Sequence, residues 1–337
     1  MKEIKIEKRG FKGKIRLLFL YEKIKNKKNI NQLLKEFKLI NGIGYGGYKD
    51  KIALKKFLLW AIFDEKDNRI KYHPIDKEDC IRLTKEIFYK TPEIDFKNIY
   101  LFILPTFNKF YSKKLNGIGG YCTWENCIFI FIDPIKGWKK NFKINLAHEL
   151  AHAVSPFYLI NKTILDWLVL DGLAENFQEN INKKKSQITK AISKKRAMKI
   201  FIKIKEKLNT DDEQLHRELF YENKKYPLWA GYSIGYHIVK EYLKKQKNID
   251  WNKIIKIQPK IILNESGFCE PITNKEAKKE HEIWRLKQKK LLGIAKKIYL
   301  SCKNKHEKIY LEKINNQIYD LMCENCWDKF RKKSSKH

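Results

Sequence analysis

The sequence has few of the features that mark disulfide-stabilised or membrane-spanning proteins. Its seven cysteines are an odd number in a chain of 337 residues, which argues against a disulfide scaffold and for a reducing compartment. The longest apolar run near the amino terminus, residues 57–63, is far shorter than the roughly 20 residues that span a bilayer. The first residues are charged throughout, unlike a secretory leader. We therefore expect a cytoplasmic protein with no membrane span.

Acidic residues are also scarce in this chain. It has 39 Asp and Glu against 72 Lys and Arg, so its formal net charge is +33. Such a charge could serve to bind nucleic acid or an acidic partner. The lysines are, however, scattered along the whole length among many Ile and Asn residues, as compositional bias would place them. No nucleic-acid-binding motif is present, so nucleic acid is only an alternative partner.

An HExxH pentapeptide lies in an apolar stretch without Gly or Pro, residues 145–154. This pattern predicts a helix in which His148 and His152 lie one turn apart on the same face, close enough to bind one Zn²⁺. Glu149 would lie beside the metal, where a carboxylate can take a proton from water and deliver it to a leaving amine. The pentapeptide is typical of zinc proteases. The alternative is an amphipathic helix whose two histidines are four residues apart by chance.

The next apolar segment, residues 164–177, carries two acids on one helical face, Asp171 and Glu175. Eighteen residues separate His152 from Asp171, a spacing typical of metalloproteases that take their third ligand from a second helix. We expect Asp171 to ligate the metal and Glu175 to accept the second ring N–H of a zinc histidine. The reverse assignment stays open, since both acids are acceptable oxygen donors for zinc. Gly172 could let this helix approach the metal closely.

The hydrophobic pattern predicts an α+β fold with a small mixed sheet. Amino-terminal segments have helical periodicity, and short aromatic and β-branched segments before the HExxH helix read as strands. We expect helices at 31–39, 50–63 and 77–89, and strands at 98–105 and 127–133. The glycine-rich segment 117–123 between the two strands could form a sheet edge that holds a peptide as an added strand.

These elements predict three regions. They are a helical amino-terminal region (1–90), a zincin-like metallopeptidase domain (91–270) and a helical, cysteine-bearing carboxy-terminal extension (271–337). Residues 183–208 are rich in lysine and predict one long helix that forms a solvated face or a lid. The extension contains ligand types that could close a second, structural zinc site, although unligated thiols in a helical hairpin are the default interpretation. These residues are Cys302, His306, Cys323 and Cys326.

A later helical segment carries polar aromatic groups near two glycines, Gly231 and Gly235, which would allow close approach to another element. A peptidase needs a hydrogen-bond donor for the oxyanion that forms opposite the zinc. Tyr232, Tyr236 or His237 could supply it, with Tyr232 and His237 as the chosen candidates. A packed aromatic stripe is the simpler interpretation of each of them, including Tyr236.

Taken together, the chain resembles a family of predicted zinc-dependent proteases known mainly as a domain of unknown function. The resemblance covers about residues 98–268, and the family usually has Glu at the position of Asp171. It implies a gluzincin-like metallopeptidase that acts on a peptide or protein. The matching segments are Ile128–Pro134, Ala147–His152, Asp171–Glu175 and Gly231–Val239.

The sequence therefore predicts a zinc metallopeptidase with Glu149 as general base and then acid. The main alternative is a non-catalytic module that keeps zinc for stability and binds nucleic acid or an acidic partner through its basic surface. A metal-dependent hydrolase with a substrate other than a peptide is a second alternative.

Overall fold

The computed structural model describes residues 3–8, 13–37, 51–64, 72–95, 98–123, 127–156, 162–222 and 224–268. All of them belong to one compact unit, Met1–Pro271. The predicted second zinc site in the carboxy-terminal extension lies outside the described residues and stays a prediction. Across the described ranges, no helix is both long and apolar enough to cross a membrane.

Five strands in the described ranges form one mixed sheet with the order β1-β2-β3-β5-β4. The three central strands run parallel, and each outer strand pairs antiparallel with its neighbour. This arrangement leaves β4 at an edge of the sheet. The strands are β1 (Glu3–Ile6), β2 (Ile15–Phe19), β3 (Ile99–Pro105), β4 (Ile118–Cys122) and β5 (Cys127–Ile132).

Eleven α-helices in the described ranges surround this sheet. Several begin at side-chain caps, as in α6, where Thr163 and Asp166 form a capping box. The helices are α1 (Asn29–Phe37), α2 (Lys51–Ile62), α3 (Lys77–Lys90), α4 (Lys109–Lys114), α5 (Trp138–Val154), α6 (Ile164–Asn182), α7 (Lys194–Ile204), α8 (Glu213–Phe220), α9 (Ala230–Lys244), α10 (Trp251–Ile254) and α11 (Pro259–Ser266).

Both faces of the sheet are buried, which explains why its central strands are apolar without alternation. In β5, Ile128 and Ile130 belong to the core that also contains residues of α3, α5 and α6. Phe129 and Phe131, which alternate with them, belong to a second core with residues of α1 and α2. The sheet therefore lies between two helical layers, and the HExxH helix α5 packs on the first.

The α+β class and the predicted strands at 98–105 and 127–133 are confirmed by β3 and β5. The amino-terminal region is predicted to be helical, but it also contains the strands β1 and β2. β2 pairs parallel with β3, with Leu17 opposite Leu101. Strands of four or five residues that pair with residues distant in sequence have little local sequence pattern by which to predict them. The limits of the three predicted regions stay predictions.

The single helix predicted at 183–208 is wrong. α6 ends at Asn182, and Lys183 adopts a left-handed conformation with φ of 54°. Turns occupy the residues up to Ser193, which caps α7. The helical pattern is interrupted because Ser186 bonds back to α6, through a hydrogen bond of 2.7 Å to Glu175. α7 is not a purely solvated helix either, since Phe201 belongs to the core.

Glycines allow α6 and α9 to cross in close contact. A Cβ atom at Gly172 would overlap the carbonyl group of Gly235, and one at Gly235 would overlap the carbonyl oxygen of Leu168. This contact agrees with the prediction that Gly235 allows its helix to approach another element closely. The interpretation of Gly172 is corrected, because its open face meets α9 and not the HExxH helix α5.

Candidate metal centre

The HExxH motif lies on α5, where helical geometry brings its two histidines together. His148 and His152 are both buried, and their Nε2 atoms are 3.0 Å apart. The two rings lie nearly edge to face, with centroids 4.7 Å apart. Both Nε2 atoms therefore point to a common position beside the helix.

Asp171 on α6 completes a three-sided group of ligand atoms. Its Oδ1 atom is 3.5 Å from Nε2 of His148 and 3.3 Å from Nε2 of His152. Ligands bound tetrahedrally at about 2.0–2.1 Å would lie about 3.3 Å from each other. The three separations fit a single ion of zinc's size, and the donors, two imidazoles and one carboxylate, are those that zinc accepts.

Glu175 lies one helical turn after Asp171 and contacts the other side of His148. Its Oε1 atom is 3.0 Å from Nδ1 of His148. Its Oε2 atom accepts hydrogen bonds from Ser186 Oγ at 2.7 Å and from Gln178 Nε2 at 3.4 Å. A carboxylate in this position favours the proton on Nδ1 and leaves Nε2 of His148 available to a metal.

The electrostatics of the cluster follow from its burial and its close ion pairs. Burial lowers the pKa of His152 to about 4. Burial opposes the charged form of His148 too, but hydrogen bonds to Asp171 and Glu175 raise its pKa well above the usual value. Hydrogen bonds from both histidines lower the pKa of Asp171 despite its burial. Asp171 is therefore held as a carboxylate, the form in which it can ligate a metal.

Glu149 is not one of the three clustered ligand residues, and its side chain lies against the edge strand β4. Its carboxylate accepts a hydrogen bond from the Cys122 backbone, and burial raises its pKa to about 7. A Cβ atom at Gly120 would lie only 2.6 Å from Cγ of Glu149. The glycine in β4 thus makes the space that the Glu149 side chain occupies.

The pairing of β4 with β5 determines which backbone groups face the open edge. Thr123 N–H donates to the Cys127 carbonyl, and Asp133 N–H donates to the Gly117 carbonyl. The odd-numbered residues of β4 therefore bond to β5, because antiparallel pairs alternate. The backbone groups of Gly120, an even-numbered residue, are directed to the opposite side, beside Glu149.

Two hydrogen-bonded tyrosines, Tyr232 and Tyr221, lie near the cluster. The ring of Tyr232 is 6.3 Å from that of His148, measured between centroids. Its hydroxyl is hydrogen-bonded to the hydroxyl of Tyr221, and burial raises the pKa of Tyr232 well above its usual value. Sequence reasoning missed Tyr221, which follows the end of α8 and belongs to no motif.

The structure does not bring His237 to the cluster. Its ring hydrogen-bonds the backbone of Ile192, and within the described part of the chain its Nε2 atom has no partner. Four residues separate Tyr232 and His237 along α9, so the two side chains point in different directions. Tyr236 also points elsewhere, since its hydroxyl donates to Glu179 at 2.7 Å.

Comparison with known proteins gives one match. A family model described as predicted Zn-dependent protease, domain of unknown function 2268, matches residues 62–264. The chain belongs to this family. The resemblance noted from the motifs is thereby confirmed, and the matched range includes α5, α6 and α9. No curated protein and no solved structure matches the chain, so the zincin-like fold stays a prediction.

Proposed function

We propose that the protein is a zinc-dependent metallopeptidase. The observation that carries this proposal is the convergence of three buried ligand atoms, from His148, His152 and Asp171, at the separations of a tetrahedral zinc site. The family description adds support, because it names a Zn-dependent protease. The roles of the individual residues below are part of the proposal.

His148, His152 and Asp171 would hold the zinc ion, which when bound acts as a Lewis acid that acidifies water and polarises a carbonyl group. Glu149 then accepts the proton that the attacking water loses as its oxygen bonds to the carbonyl carbon. It returns that proton to the amine nitrogen as the C–N bond breaks. Burial supports this role, because a carboxyl pKa of about 7 suits both the acceptance and the return of a proton.

The oxyanion of the reaction needs a donor, and Tyr232 is the better supported of the two sequence candidates. Its ring lies beside His148, whereas His237 bonds to Ile192. Its hydroxyl is paired with that of Tyr221, so the two together could direct a proton toward the carbonyl oxygen.

An extended peptide is the substrate that fits the open edge of β4. Backbone groups of an added strand would pair with those of Gly120, next to Glu149. This pairing would set a peptide bond beside the catalytic carboxylate without requiring a particular side chain. Selectivity would then come from the surrounding side chains.

The substitution Glu149→Gln tests the proposed chemistry. We expect it to keep the zinc, since the ligands are intact, and to abolish cleavage of a peptide library, since the proton acceptor is lost. Zinc content and peptide products are measured on the same samples, with zinc chelation of the parent as control. A variant that cleaves the peptides as well as the parent would contradict the proposed mechanism.

The basic composition also fits one alternative function, that of a non-catalytic zinc-stabilised module. The net charge of +33 would then bind nucleic acid or an acidic partner. Salt-dependent retention on nucleic acid together with no peptide turnover by the zinc-loaded protein would favour this alternative over the peptidase.

A further inference from the structure

We propose that Lys162 and His216 form a subsite for a carboxylate group of the peptide substrate, with the ring of Trp167 as its wall. This inference rests on the proposed peptidase function, which it deepens by naming a chemical preference. The carboxylate could be the carboxy terminus of the peptide or the side chain of an Asp or Glu residue. Both sources offer the same planar anion to a cationic site.

Lys162 directly precedes Thr163, the cap of the helix that carries Asp171. Its charge acts on Asp171 and Cys122 and also on His152. The lysine is therefore electrostatically coupled to the cluster and to the last residue of β4. A peptide that extends along β4 past Cys122 would meet this ammonium group.

The ring of Trp167 fixes the position of the lysine. Lys162 Nζ is 3.8 Å from the centroid of the Trp167 ring, a distance typical of a cation–π contact. Trp167 is four residues before Asp171 and thus on the same face of α6. The contact holds the ammonium group on the side of α6 that faces the cluster.

His216 on α8 extends the same wall. Its ring lies 4.5 Å from that of Trp167 and 5.6 Å from that of Tyr221, between centroids. Its Nε2 atom is buried and lacks a hydrogen-bond partner within the described part of the chain. Buried polar atoms are normally bonded, so a missing partner at this position is what a bound ligand would supply.

Ring packing connects His216 to the metal cluster. His216 contacts Phe220 at 4.8 Å, Phe220 contacts Tyr232 at 5.0 Å, and Tyr232 contacts His148 at 6.3 Å, between ring centroids. Phe220 is buried, so these rings hold the subsite residues in place relative to the cluster, and the proposal is that one peptide reaches both.

Peptide binding tests the subsite separately from catalysis. The probes are three fluorescein-labelled pools of hexapeptides whose random positions exclude Asp and Glu. One pool has a free carboxy terminus, and the second has an amide terminus. The third has an amide terminus and one added Glu. Binding is measured by fluorescence anisotropy on zinc-loaded Glu149→Gln protein, which should not cleave them. We expect one or both carboxylate pools to bind about tenfold tighter than the amide pool, and the pool that does so identifies the source.

The variant Lys162→Met in the same background should remove that difference, and Lys162→Arg should retain it. Lys194→Met is the matched control, because this lysine pairs with Glu241 at 2.9 Å and its loss changes the net charge equally. Equal binding of all pools, or a difference that survives Lys162→Met, would overturn the subsite. So would loss of zinc from Lys162→Met, which would assign the lysine to the metal cluster instead.

Failure of the subsite and failure of the peptidase can be told apart. Cleavage of the amide pool by the zinc-loaded parent tests the peptidase alone. A parent that cleaves this pool while all pools bind equally is a peptidase without the subsite. A parent that cleaves nothing, yet binds carboxylates through Lys162, has the subsite without the proposed reaction.

Discussion

Asp171 and Glu175 lie one turn apart on α6, yet their carboxylates contact different nitrogen atoms of His148. Asp171 approaches Nε2, and Glu175 contacts Nδ1. The sequence predicts that both acids share a face and favours Asp171 as the ligand, with the reverse assignment open because helical spacing alone cannot say which one reaches the histidines. The structure groups the two histidines with Asp171. Its shorter side chain suffices because α6 packs directly on α5.

Ser186 is expected to act as a positioning residue for the metal. Its hydroxyl donates to Glu175, which in turn contacts His148. The substitution Ser186→Ala should therefore weaken zinc binding by about tenfold or more, the scale typical of groups that orient a metal ligand. Zinc affinity is measured by competition with a chromophoric chelator.

Ser233→Ala is the matched control for this effect. Ser233 Oγ donates to the Ile188 carbonyl in the same segment, at 2.9 Å, without contacting Glu175 in the described structure. The Ser233→Ala variant should have a lower free energy of unfolding than the parent and a zinc affinity near that of the parent. Equal losses of zinc affinity in both variants would contradict a specific role for Ser186.

The elements that position the site differ in how clearly the sequence predicts them. α5, α6, β3 and β5 have clear local signals. The HExxH motif and the long apolar segment after it indicate two helices, and the short unbroken apolar runs of β3 and β5 indicate buried strands. β4 is harder to predict, because the glycine-rich segment that contains Gly119 and Gly120 fits a turn as well as an irregular sheet edge. The strand forms through its pairing with β5, and its glycines are required by neighbours distant in sequence. Tyr221, Ser186 and Lys162 likewise reach the site only through tertiary packing.

The edge strand gives the prediction at this scale. In Gly120→Ala, the added methyl group would press on Glu149 at about 2.6 Å, so the side chain must move. We expect the variant to fold and to bind zinc, but to lose at least tenfold in kcat, because a displaced base transfers protons poorly. Steady-state kinetics and zinc content check this.

Gly119→Ala provides the comparison within the same strand. Its methyl group would overlap the ring of Tyr111 on the opposite face, where no group of the proposed mechanism lies. It should lower the free energy of unfolding, as overpacking does. If Gly120→Ala keeps the parent's kcat, β4 does not position the base as described.

At the scale of the whole molecule, one fold brings three separate segments to one centre. α5 supplies the histidines and Glu149, α6 supplies the two acids, and β4 supplies the wall beside Glu149. The composition alone predicts none of this, since a charge of +33 fits several classes of protein. The order of motifs predicts the family, and the folded chain brings the ligands within 4.8 Å of one another.

Zinc quantification on the purified parent and on Asp171→Ala tests the central claim most directly. The full chain is used for both proteins, so any zinc bound elsewhere contributes equally. The account predicts that the parent holds one zinc ion more per chain than Asp171→Ala after identical dialysis, because two imidazoles alone bind zinc weakly. Equal zinc contents in the two proteins would contradict it.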